Sequence, residues 1–159
     1  MAERDRHALI LSRRRGSDTR TLGRVAPVFT LAKVEELAMS FPGVTEGRRW
    51  GNTTWSVDGK AFVWERPFTK ADIRRFGDSP LRSGDIVAVA TDGLDEKAAV
   101  LQSGVQGVFT IAHFDGYAAV LVQLSVVPAA AMRDLLLDAW LACAKPVRAT
   151  EYLARRQIG

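Results

Sequence analysis

Apolar positions along this chain follow two different periods, and each switch between them marks an element boundary. Leu31, Val34, Leu37, Ala38 and Phe41 recur at three- and four-residue steps behind Thr30, a favoured N-cap residue. Pro42-Gly43 stops the run, so a helix is predicted over this segment. The period then becomes two. Thr53–Val57 and Lys60–Trp64 flank Asp58-Gly59, and Val108–Phe114 and Tyr117–Val122 flank Asp115-Gly116. Asp-Gly between two strand-forming runs signals a hairpin, because a type I′ turn needs two adjacent residues that tolerate positive φ. Direct pairing across the first loop sets Trp55 opposite Phe62 and Thr53 opposite Trp64, with Val57 on the same, core-facing side. Pairing across the second gathers Phe109, Ile111, His113, Ala118, Val120, Val122 and Leu124 on one face.

The remaining signals are local. Thr69 with Asp72 three residues later reads as a capping box, and Gly77 and Pro80 close the short helix that follows. Asp85–Ala90 is a further strand. Asp92 starts a helix whose expected inner face is Leu94, Ala98 and Leu101, ending at Gly104. Pro128 opens the clearest helix. Its apolar stripe is Met132, Leu135, Leu136, Ala139, Trp140 and Cys143, with Arg133, Asp134 and Asp138 set apart from it. Lys145-Pro146 breaks it before a last helix carrying Tyr152 and Leu153. The expected fold is α+β: an antiparallel sheet of about five strands built from two Asp-Gly hairpins, with helices packed mainly on one face. A basic tail, 1–27, precedes a single domain, 28–159.

Charge refines this picture. The net charge of +4 is unevenly placed. Seven arginines crowd the first 29 residues, among them Arg13-Arg14-Arg15. Residues 48–75 carry Arg48, Arg49, Lys60, Arg66, Lys70, Arg74 and Arg75 against Asp58, Glu65 and Asp72. Clustered cations of this kind suit phosphate, so these seven basic residues are candidates for nucleic-acid binding. Arg48, Arg49 and Trp50 enter the first hairpin from a Gly47–Gly51 loop, while Arg66 and Phe68 leave it. The two ends of a hairpin lie side by side. Trp50 and Phe68, with the neighbouring arginines, are therefore candidates to line a pocket for a small anionic ligand or peptide, and His113 is a further candidate for it. The competing reading is a solvated arginine rim over a tryptophan core.

Other chemistry is scarce. His113 is the one histidine of the domain and lacks a nucleophile and an orienting partner in sequence, so no catalytic residue is assigned and the chain is expected to be non-enzymatic. One such histidine and the single cysteine, Cys143, do not complete a zinc site, and no metal or cofactor is expected. Cys143 falls on a helical apolar stripe and fits a core position in a reducing compartment. No apolar run approaches the length of a membrane span, and Ala8–Leu11 is too short for a signal-peptide core. A cytoplasmic location with no membrane partner is expected.

Several motifs, taken in order, resemble the MmcQ/YjbR-like family of small bacterial proteins. They are Phe41–Glu46, Trp50-Gly51-Asn52, the Val57–Phe62 hairpin, His113–Tyr117 with Val120–Val122, Asp138-Ala139-Trp140 and Ala144-Lys145-Pro146. The resemblance implies a compact domain with a frataxin-like or double-wing sheet. By analogy of shape it also implies weak DNA binding, and it transfers no catalytic residues. Two departures stand out: a longer, more basic Thr69–Pro80 stretch, and Ala118-Ala119 where bulkier residues are usual.

Overall fold

The computed structural model describes residues 29–77 and 84–158. The expected tail, 1–27, with its arginines, and the expected stop at Pro80 lie outside the described residues. Helix α1 (Leu31–Ser40) begins as the sequence predicts, with Thr30 Oγ1 accepting from Lys33 N at 3.1 Å. Three strands follow as a meander: β1 (Val44–Arg49), β2 (Asn52–Val57) and β3 (Lys60–Glu65). Helix α2 (Lys70–Phe76), β4 (Ile86–Ala90), α3 (Gly93–Gln102), β5 (Val108–Phe109), β6 (Ala119–Gln123), α4 (Ala129–Cys143) and α5 (Pro146–Ile158) complete the order.

The described strands form one six-stranded antiparallel sheet in the order β1-β2-β3-β4-β6-β5. The architecture is the expected α+β class with one strand more. That strand, β1, takes in residues 47–49, expected to lie in a loop. Its side chains are almost all exposed, so it lacks the alternation that marks a half-buried strand. Backbone pairing with β2 as a sheet edge holds it instead. Consequently Arg48 and Arg49 are strand residues, and Trp50-Gly51 is the turn.

The large core lies between one sheet face and the helices. It holds Val34 and Ala38 from α1 with Phe41 at its C-cap, Trp55, Val57, Phe62 and Val63 from the first hairpin, Val87 and Val89 from β4, and Leu135, Leu136, Ala139 and Trp140 from α4. Phe41 stacks on Trp140 at 5.6 Å, and Trp140 Nε1 donates to Pro42 O at 3.2 Å, tying the first helix to α4. A smaller cluster on the opposite face joins Ile86, Ala88, Phe109, Phe114, Ala119 and Leu121, with Trp64, Phe68 and Ile111 packed against it.

Both expected hairpins differ from simple pairing by one residue, and the difference moves side chains between faces. At Asp58-Gly59 both residues have positive φ, as a type I′ turn requires, and Val57 pairs with Lys60. Beyond Ser56–Ala61 the register shifts, so that Trp55 faces Val63 and Thr54 faces Trp64. Phe62 is the extra residue of this β-bulge, and Phe62 and Val63 both reach the large core. Trp64, expected inside with Trp55, is carried to the other face.

Asp115-Gly116 is not a type I′ hairpin turn. Asp115 has φ −59 and ψ 132, Gly116 has φ +75, and Tyr117 N donates to Phe114 O at 3.0 Å, which together make a type II turn. A 3-10 turn, Ala112–Phe114, stands where the strand was expected to continue. The ladder contains Val108–Val122 and Phe109–Leu121, one residue out of the expected register, so Phe109 lies on the face opposite to Val120 and Val122.

Two helix faces are corrected as well. In α3 the buried residues are Glu96, Lys97 and Val100, while Leu94 is 51% exposed. In α4, Asp134 and Asp138 are buried rather than solvated.

Candidate functional site

The Phe62 bulge, the short β5 and the type II turn together leave a cleft of about 540 Å³ on the less covered face of the sheet. Its floor and mouth come from β1 and β2 (Arg49, Asn52, Thr54) and the Trp50 turn. One wall is Trp64, Phe114 and Tyr117; the other is the Glu65–Thr69 segment that leaves β3. The volume falls within the range of roughly 300–1,000 Å³ usual for small-ligand sites, and Trp50, Trp64, Phe68, Phe114 and Tyr117 bring aromatic rings to the lining.

Each wall has an identifiable support. Trp64 and Tyr117 meet edge to face at 6.2 Å, and Phe114 and Tyr117 at 5.7 Å. Beneath them Lys97 Nζ donates to Phe114 O at 2.5 Å and to Tyr117 O at 2.7 Å. These carbonyls belong to the first and last residues of the type II turn, so one buried ammonium sets the position of both rings. Burial pulls the Lys97 amine below its usual pKa, and the neighbouring Asp115 carboxylate opposes that shift.

The opposite wall rests on Asp72. Its Oδ2 accepts from Thr69 N at 2.8 Å while Thr69 Oγ1 accepts from Asp72 N, which is the predicted capping box of α2. The same Oδ2 lies 2.9 Å from Arg66 Nη1. Arg66 also donates to Pro67 O and sits over the Phe114 ring at 5.5 Å, so it joins the two walls. Desolvation works to raise the Asp72 pKa. The Thr69 and Arg66 hydrogen bonds outweigh it, and the carboxyl stays below its usual value.

The candidate residues divide clearly by position. Arg49, Trp50, Arg66, Phe68 and His113 line the cleft together. Arg48 does not: strand alternation turns it to the side of Glu46 and Trp55, and its Nη1 donates to Gly51 O at 3.1 Å, bracing the turn. Lys60 follows the turn at the other end of β3, roughly 17 Å away at about 3.3 Å per strand residue. Lys70, Arg74 and Arg75 are exposed on α2, with Arg75 beside a smaller hollow shared with Asp72, Phe76 and His113. The seven basic residues therefore do not make one patch.

Sequence reasoning missed Asn52, Thr54, Trp64, Phe114 and Tyr117 as lining residues. The Trp50-Gly51-Asn52 turn was the one local signal available for them; the others depend on the bulge and the turn type. Among the described residues, no three His, Cys, Asp or Glu side chains cluster as a metal site would require, and no helix is long and apolar enough to cross a membrane.

The family model described as YjbR matches residues 39–142, a span that holds the whole described sheet and every candidate residue named above. The chain belongs to the YjbR family. Relatives similar to this YjbR-family chain include uncharacterized proteins of Mycobacterium bovis and Mycobacterium tuberculosis. Each is 40% identical over 90 residues, which span 55% of this chain and 69% of the relative. No solved structure matches this chain.

Proposed function

We propose that this YjbR-family protein is a non-enzymatic binding protein that holds a small anionic ligand in the aromatic cleft. One observation carries the reading: Arg49, Trp50, Arg66, Phe68 and His113 come from separate segments and line one concavity of ligand size. Arg49 offers a guanidinium for a carboxylate or phosphate, and the rings around it supply apolar surface in a site partly screened from water. Isothermal titration against small carboxylates and phosphates tests it. Saturable binding that weakens at least tenfold in Arg49→Gln supports the reading, and binding unchanged by Arg49→Gln counts against it.

A second reading is weak DNA binding through the basic segment 48–75 and the tail. It is supported by the exposed cations of α2 and by Trp50, which is 91% exposed. It ranks lower because Arg66 is paired with Asp72, Arg48 faces away and Lys60 is distant. If duplex DNA is the ligand, log K should fall linearly with log salt. The slope should shrink by about 0.9 for each phosphate contact removed in Lys70→Gln, Arg74→Gln and Arg75→Gln.

A further inference from the structure

We infer that the ligand of this cleft is a planar aromatic anion, with its ring stacked on Trp50 and its one negative group on Arg49. This rests on the ligand-binding reading above and narrows it to a chemical class.

Trp50 is the starting point. It occupies the first position of a two-residue turn at φ +52, with Gly51 at φ +80. That conformation is the left-handed one, which suits Gly and Asn and strains a bulky side chain. Strain of this kind persists when something compensates it. Burial does not compensate it here, because the indole is 91% exposed and is not part of either core cluster. Trp50 instead lines the cleft whose wall carries the Trp64–Tyr117 pair. A large, exposed aromatic surface kept at an unfavourable turn position beside a cleft with aromatic walls is the arrangement a flat ring requires.

The charge comes from the strand residue just before that turn. Arg66 is committed to Asp72. Arg49, next to Trp50 in the chain, lines the cleft and makes no ion pair among the described residues. One uncommitted guanidinium matches one carboxylate or phosphate rather than a polyanion. At about 540 Å³ the cleft has room for a fused bicyclic ring with that group attached. A nucleoside monophosphate and an aryl carboxylate share this chemistry.

The test is calorimetric titration of the full chain with adenosine monophosphate, 2-naphthoate, adenosine, inorganic phosphate and succinate. At least one aromatic anion should bind tenfold or more tightly than adenosine, phosphate or succinate; which of the two does so separates the nucleotide source from the aryl carboxylate. Trp50→Asn should weaken that binding about tenfold or more, as loss of a stacking ring does. The same variant should not lower the unfolding midpoint, because Asn-Gly is the preferred type I′ pair. Equal binding of phosphate or succinate, insensitive to Trp50→Asn, would overturn the aromatic requirement and leave an anion site standing. No binding by any of the five probes would overturn both readings. A Trp50→Asn chain that loses stability along with affinity would overturn the inference that Trp50 is held for contact rather than for the fold.

Discussion

Asp72→Ala is expected to destabilise the fold by about 3 kcal/mol, because one carboxylate oxygen serves both the α2 cap and Arg66. The bond from Thr69 N, the half of the capping box that this substitution removes, contributes about 1 kcal/mol. The bond from Arg66 is charge-assisted and shielded, since the Arg66 side chain is 15% and that of Asp72 2% exposed, and such bonds contribute roughly 1.5–3 kcal/mol. Asp72→Asn keeps an acceptor for Thr69 N–H but loses the charge, so it should cost about half as much. At about 2–4 °C per kcal/mol for a chain of this size, Asp72→Ala should lower Tm by about 6–12 °C. Urea unfolding should show a lower midpoint at unchanged m. The pH dependence follows from the sign of the shift. The folded pKa lies below the usual 3.8, so the folded state releases this proton more readily than the unfolded state. The contribution is fully present above about pH 4 and is lost as pH falls further, so wild type and Asp72→Asn should converge in acid. A cost under about 1 kcal/mol for Asp72→Ala, or no coupling between Arg66→Met and Asp72→Ala in a double-mutant cycle, would refute the reasoning.

Three further outcomes are expected. Gly107→Ala should cost more than the roughly 1–2 kcal/mol of left-handed strain, because φ is +86 and a Cβ would lie 2.9 Å from the backbone atoms Gln123 O and Val127 N; Gly59→Ala, at φ +81 with open space around it, should cost only the strain in the same urea titrations. Lys97→Met should lower stability by about 2 kcal/mol at neutral pH and blunt the near-ultraviolet circular dichroism of the Trp64–Tyr117 wall, since the Phe114 and Tyr117 carbonyls lose their shared donor. The folded Lys97 pKa is below 10.5, so the folded chain binds fewer protons there, and wild-type stability should rise relative to Lys97→Met as pH climbs toward 10.5. Burial raises the pKa of the half-buried Cys143 thiol, so Ellman's reagent should label it more slowly in the folded chain than in urea.

The cleft shows how far a sequence reading reaches. One premise, that the ends of a hairpin lie side by side, groups Arg49, Trp50, Arg66 and Phe68, and these four line the cleft together with His113, a candidate from the second hairpin. The same premise includes Arg48, which strand alternation turns to the other face; a loop has no such faces, so the sequence signal for a loop at 47–51 does not separate Arg48 from Arg49. The sequence reading leaves out Trp64, which one extra residue at Phe62 turns from the large core toward the cleft.

What the sequence determined by itself is the chemistry that neighbours along the chain decide among themselves. Thr30 and the Thr69–Asp72 box cap their helices through atoms three residues apart, and Asp58-Gly59 takes positive φ because its own side chains permit it. Strand parity is different: with a period of two, a single residue of register exchanges the faces, and only packing across the sheet chooses between the outcomes. Packing placed the bulge at Phe62. At Asp115-Gly116 the turn is type II, and the ammonium of Lys97 binds the Phe114 and Tyr117 carbonyls at its two ends, a contact that depends on α3 packing against the turn. Asp58 shows both kinds of cause in one residue. Its backbone makes the turn unaided, while its carboxylate holds Lys145 N and the Arg148 guanidinium across separations of 87 and 90 positions, contacts that exist only once α4 and α5 have folded over the sheet.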